Sequence, residues 1–156
     1  MIMNEQLTFP SKRDTWIVLL SWTGAGIEVA VGLLLLGSTA PPLVRWLVPV
    51  ACLAGAAFML WVLYGTYYAF TEDTLIIRCG PFRFKVPVAE IEAVTPTRNP
   101  LSSPACSLDR LLIRYRRGRR RLMVSPLDRT GFLEALVTRA PNLTRSGLEV
   151  VKKRGA

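Results

Sequence analysis

Six arginines crowd into eight consecutive positions of this 156-residue chain: Arg114, Arg116, Arg117, Arg119, Arg120 and Arg121, around Gly118. A guanidinium is permanently charged and its forked donors match carboxylate and phosphate oxygens, so the chemistry on offer is anion binding. Residues 111–117 and 119–125 form two short β-type runs on either side of Gly118, which predicts a hairpin. With Arg117 and Gly118 as the two central turn residues, Leu111, Ile113, Leu122 and Val124 share the core face. The other face sets Arg114 opposite Arg121 and Arg116 opposite Arg119. Like charges facing each other across a ladder are destabilising, so this arrangement does not serve the fold. The plain alternative to an anion-binding tip is a solvated basic edge that deters strand-to-strand aggregation.

The remaining residues offer little for catalysis. The chain has no histidine, which removes the commonest general base and the commonest zinc ligand. A serine nucleophile would need lysine as its base, and between residue 68 and the tail only Lys85 is available. Glu90 and Glu92 lie one strand period apart, and Asp109 beside Arg110 reads as a turn acceptor rather than a catalyst. There is no glycine-rich phosphate loop. Cys52, Cys79 and Cys106 are too far apart for a disulfide framework or a metal set; they read as small apolar residues kept reduced. The chain is expected to be a non-enzyme with no metal and no cofactor.

What must position the arginines is a chain of two unlike halves. Residues 68–156 carry 17 of the 20 Lys and Arg against 8 Asp and Glu, so the whole net charge of +9 lies there. Residues 16–36 and 44–67 are apolar, with one charge each, Glu28 and Arg45. About 20 apolar residues cross a bilayer core of about 30 Å, so two spans are predicted, and both are too long for a signal-peptide apolar region. Pro41 and Pro42 read as the turn between them. Lys12 and Arg13 before the first span, and Arg78, Arg83 and Lys85 after the second, place both termini in the cytoplasm of a bacterial inner membrane. Tryptophans and tyrosines toward the span ends suit the interface.

Within the spans Glu28 stands near mid-membrane, level with Cys52 if the turn centres near Ala40. It is a candidate intramembrane contact, either functional or simply hydrogen-bonded to the neighbouring helix. The same register sets Gly26 and Ala30 against Ala51 and Gly55, small residues that let helices approach closely.

After Tyr68 the pattern becomes short β-type runs: residues 75–78 and 82–86 around Gly80-Pro81, then 91–97, then the arginine hairpin. Phe132, Leu133, Leu136 and Val137 recur at helical spacing over residues 128–139, with Asp128 as N-cap and Pro141 beyond the end. Strands followed by one amphipathic helix suggest a small, partly closed barrel plugged by that helix. The expected domains are a cytoplasmic segment at 1–15, the helical hairpin at 16–67, a folded unit at 68–141 and a loose basic tail at 142–156.

Specific motifs run through this pattern: Phe9, Ser11, Lys12, Asp14 and Trp16; Tyr68; Leu75, Ile77, Arg78, Gly80 and Pro81. Most distinctive are Arg98-Asn99-Pro100, Ser102-Ser103-Pro104-Ala105 and Ser107-Leu108-Asp109-Arg110, followed by Ser125-Pro126, Asp128 and Phe132. In these the chain resembles the YyaB-like bacterial PH-domain proteins. The resemblance implies a membrane α-helical hairpin plus an α+β PH-like domain: antiparallel strands in a bent sheet, capped by a C-terminal helix. It implies little about activity. Cys106 stands where a plain aliphatic residue is expected, and the second hairpin holds more arginine than the pattern requires.

The expected function is therefore a non-enzymatic membrane protein. Its PH-like domain would bind anionic phospholipid headgroups or an unidentified protein partner at the inner membrane face. The contact would be the arginine hairpin or the loop holding Arg98, Asn99, Ser102, Ser103, Asp109 and Arg110. The alternative is an accessory or regulatory subunit of a larger membrane assembly, contacting it through the helices. Nucleic acid is not an expected partner, because a membrane-held domain has limited access to it and the run lacks interleaved aromatics beyond Tyr115.

Overall fold

The computed structural model describes residues 7–97, 107 and 109–153. A short strand, β1 (Leu7–Pro10), leads into two long helices, α1 (Thr15–Leu36) and α2 (Pro42–Tyr64). Pro41 is the N-cap of α2 and Pro42 its first residue; proline is pre-organised for that position, where the missing N–H costs nothing. The second helix stops at Tyr64, short of the expected Tyr67, where Gly65 takes the C-cap and returns its N–H to Trp61 O at 2.7 Å. Only 11% and 17% of the most apolar stretch of α1 and α2 is buried. Leu19, Leu20, Leu34, Leu47 and Val50 all point outward. An apolar exterior of this extent needs a non-aqueous partner, and helices of 22 and 23 residues are long enough for a bilayer.

The expected register between the helices is corrected. Gly26 faces open space, and Ala30 and Ala51 are exposed. Gly32 instead lies against Pro49, and Gly55 against Glu28, whose Oε2 would sit 3.2 Å from a Cβ built on Gly55. The facing pairs Glu28–Gly55 and Gly32–Pro49 centre the reversal slightly later than Ala40, so Glu28 meets Gly55 rather than Cys52.

The other described residues form two antiparallel sheets and a helix, and among them the sheets close into no barrel. The first sheet, ordered β1-β2-β3-β4, adds β2 (Tyr67–Phe70), β3 (Thr74–Cys79) and β4 (Phe82–Pro87). After a 3-10 turn at Val88–Glu90 come β5 (Ile91–Thr97), β6 (Arg110–Tyr115), β7 (Arg120–Val124) and α3 (Arg129–Arg139). Asp128 caps α3 by accepting the Gly131 N–H at 2.9 Å. Two further strands, β8 (Leu143–Ser146) and β9 (Glu149–Lys152), complete a second sheet ordered β7-β6-β5-β9-β8.

Two expectations are overturned here. Residues 142–153 of the tail are not loose: β9 pairs with β5, and Leu143 and Val150 are buried in the core. The segment before α1, expected to lie outside the folded unit at 68–141, joins it over residues 7–10: β1 pairs with β2 and Phe9 is buried. Both segments are short and carry few apolar residues, so neither has a periodic signal of its own. Each gains its order from a strand edge already present in the sheet.

The sheets and helices meet at a polar seam. Tyr68 OH accepts the Ser125 N–H at 2.9 Å and lies 3.2 Å from Ser11 Oγ, which is also 3.2 Å from Ser125 Oγ. Arg13 Nε and Nη2 donate to Leu63 O and Tyr64 O at 3.2 and 3.3 Å, satisfying end carbonyls of α2. Gly80 N–H donates to Gly65 O at 3.3 Å. The ends of β1, β2, β3, β6 and β7 marked by Pro10, Tyr67, Cys79, Arg110 and Val124 therefore gather near the helix ends.

Candidate functional site

The arginine hairpin ladder has the predicted register, Leu111 with Val124, Ile113 with Leu122, Arg114 with Arg121 and Tyr115 with Arg120, but it stops there, so Arg116 and Arg119, expected opposite each other on the ladder, lie in the turn. Arg119 N–H closes the turn onto Arg116 O at 3.2 Å. Both central residues have positive φ, Arg117 at 56° and Gly118 at 71°, as a type I′ turn requires. Arg116 also has φ 55°. It is held there by two bonds to Glu90: its N–H to the carbonyl at 3.2 Å and Nε to Oε2 at 2.9 Å. Both side chains are about half exposed, so the ion pair itself is worth little.

Left-handed backbone is costly for a residue with a Cβ, and asparagine is the better type I′ residue. Replacing Arg117 with Asn should therefore raise stability by roughly 0.5–1 kcal/mol, read as a higher midpoint in thermal unfolding. An unchanged or lower midpoint would show that the Arg117 side chain supports the fold. The expected gain would mean that its charge is kept at the expense of stability.

The hairpin tip forms one wall of an open cavity of about 660 Å³. Arg116, Arg117, Arg119 and Arg120 line it, with Lys152 from β9. Glu90 and Glu92 line it as well, leaving a surplus of three positive charges. Arg117, Arg119, Arg120 and Lys152 form no ion pair among the described residues. The six arginines do not act as one surface. Arg114 and Arg121 project from the opposite face of the ladder to buried Ile113 and Val124 and lie outside the cavity. Lys152 had no signal in the sequence as a site residue, since its segment carries little apolar pattern. Glu90 and Glu92 were visible as a pair but not as lining of this cavity.

The cavity sits at the ends of β6 and β7 opposite to the helix junction. The tip touches Glu90, which follows the Pro87 end of β4, while the Phe82 end of that strand adjoins the turn packed on α2. Along β6, from Arg110 to Tyr115, the distance is about 17 Å at 3.3 Å per residue.

Of the loop candidates, Arg98, Asn99, Ser102 and Ser103 lie outside the described residues. Asp109 and Arg110 are turned to structural use. Asp109 accepts Lys12 Nζ at 3.0 Å and pairs with Arg129. Arg110 is buried and donates from Nε to Ser107 O at 2.6 Å, while Ser107 Oγ donates to Asp14 at 2.8 Å. This cluster ties the segment before α1 to β6 and α3. Glu28 lies against Gly55, and its Oε2 is buried with no hydrogen-bond partner among the described residues.

Residues 66–140 match the family model described as the bacterial PH domain, in agreement with the resemblance carried by the motifs. Comparisons with curated proteins and with solved structures find no match.

Proposed function

The chain carries a bacterial PH domain behind two helices long and apolar enough to cross a membrane, and from this premise we propose that it is a membrane-anchored adaptor. Both termini lie in the cytoplasm of a bacterial inner membrane, and the domain receives an acidic segment of a protein partner in the arginine-lined cavity. The observation that carries this reading is the cavity itself. Unpaired cations from two strands and a strained turn converge on a space large enough for a few side chains. Protein is favoured over headgroups because the strand length of about 17 Å separating tip from junction is about twice the Debye length of about 8 Å.

The test uses the full chain in nanodiscs of uncharged phosphatidylcholine and a labelled oligoglutamate peptide. The wild-type chain should bind the peptide, and the triple substitution Arg117→Ser, Arg119→Ser, Arg120→Ser should weaken binding about tenfold, at roughly 0.5 kcal/mol per exposed pair. The pair Arg114→Ser, Arg121→Ser should matter much less. Equal losses from the two sets would reduce the effect to net charge and overturn the cavity as a site.

A second reading, an accessory subunit of a larger assembly, draws on Glu28. A buried carboxyl oxygen without a partner is costly in an apolar setting, and a polar group from a neighbouring span would satisfy it. Photo-crosslinking from Val29 in native membranes should then trap a partner that Glu28→Leu releases; recovery of the monomer alone would count against this reading.

A further inference from the structure

The β3–β4 hairpin presents a second surface, distinct from the arginine cavity and at the opposite end of the domain. Its turn, Gly80-Pro81, rests on the last turn of α2. A Cβ on Gly80 would come 3.0 Å from Val62 Cγ2 and 3.1 Å from Val62 Cα, and both Gly80 and the Trp61 ring closely approach Gly65. At 1.5 Å per residue α2 is about 35 Å long, slightly more than a hydrocarbon core of about 30 Å. Val62, third from its end, is therefore level with the boundary between acyl chains and headgroups. The Gly80-Pro81 turn is level with it too.

Just past that turn, Phe82 and Phe84 are 54% and 42% exposed. They share the face of β4 that buries Val86, yet they stay exposed on the outer strand of the sheet, Phe84 beside buried Ile77 and Phe82 beside Cys79. Arg83 and Lys85 occupy the other face, and Arg78 pairs directly with Arg83 across the ladder. All three cations are exposed. Two like charges opposed in a sheet are unfavourable unless an anion lies over them. Trp61 and Tyr64 are exposed at the same level on α2, where aromatic rings favour the interface.

We propose that the β3–β4 hairpin is an interfacial wedge. Phe82 and Phe84 insert beside Trp61 and Tyr64 at the edge of the acyl region, while Arg78, Arg83 and Lys85 contact phospholipid phosphates. Lipid is the occupant because the hairpin is packed onto the helix end at that depth and shows an apolar face backed by cations. The wedge gives the domain a third attachment besides the two helices and holds its tilt to the membrane. It rests on the helices spanning the bilayer and not on the arginine cavity.

Site-directed nitroxide labelling of the full chain tests this, with Cys52, Cys79 and Cys106 replaced by alanine. The chain is reconstituted in vesicles of phosphatidylethanolamine and phosphatidylglycerol. Labels on Phe82→Cys and Phe84→Cys should collide several-fold less with a water-soluble nickel chelate, and more with oxygen, than a label on Arg119→Cys. Both phenylalanines are exposed, so neither substitution empties the core. Aqueous accessibility at 82 and 84 equal to that at 119 overturns the wedge. Dipolar broadening at 82 that vanishes on dilution with unlabelled chain also overturns it, in favour of a second copy. A label on Leu53→Cys, mid-way along α2, tests the span separately: oxygen access there with aqueous access at 82 leaves the span standing and removes the wedge.

Discussion

Replacing Phe132 with alanine is expected to destabilise the PH domain by about 3–5 kcal/mol. The ring is fully buried and packs against three others, with centroids 5.0 Å from Phe70, 5.6 Å from Phe9 and 6.1 Å from Tyr68. These rings come from α3, β1 and β2, so one side chain joins the capping helix, the first sheet and the segment that precedes the two apolar helices. Truncation removes both the transferred apolar area and the edge-to-face contacts, and it leaves a void that rigid neighbours cannot close. For a domain of this size each kcal/mol shifts the unfolding midpoint by about 4–8 °C, so circular dichroism of the chain in detergent should show a drop above about 10 °C. Residues 7–10 should also become protease-sensitive as β1 loses its anchor. A shift of only a few degrees would mean that the aromatic cluster does not carry the core.

Gly80→Ala is the second large effect, about 2–5 kcal/mol, summing a left-handed backbone cost of about 1–2 kcal/mol and overpacking of about 1–3 kcal/mol. Gly80 has φ +55°, and the atom its Cβ would strike includes Val62 Cα, which is backbone and cannot swing aside. The matched control is Gly118→Ala. That glycine has φ +71° but open space around it, so only the backbone term applies, on the order of 1 kcal/mol. Trp61 lies beside the contact, so its fluorescence should change in the Gly80 variant and not in the Gly118 variant. Equal losses at the two positions would show that the domain is not docked on α2.

The parts of the fold that could be read from sequence are those with local signals. Apolar runs of membrane length, the Gly80-Pro81 and Arg117-Gly118 turns, the strand at Ile91–Thr97 and the Asp128 cap all depend on residues near one another in the chain. The arginine register followed from two-residue turn geometry alone. The contacts between α1 and α2 did not, because a shift of one or two residues in where the chain reverses moves every facing pair. The strands β1, β8 and β9 were missed for a related reason: a four-residue segment is ordered by the edge it joins rather than by its own propensity.

For the candidate site the division is similar. Sequence by itself determined which chemistry is present: a dense guanidinium run, no histidine, and like charges opposed across a ladder at Arg114 and Arg121. Tertiary structure decided where that chemistry points. It divided the six arginines between a cavity and an outer face, brought Lys152 and Glu92 into the same cavity, and drew Asp109 and Arg110 into the seam beside α1. It also put the arginine tip at the far strand ends and the Phe82–Phe84 face at the helix junction. Side-chain type is written residue by residue, but distance from the helix junction depends on strand direction and on which turn packs against α2, and those are properties of the assembled sheets.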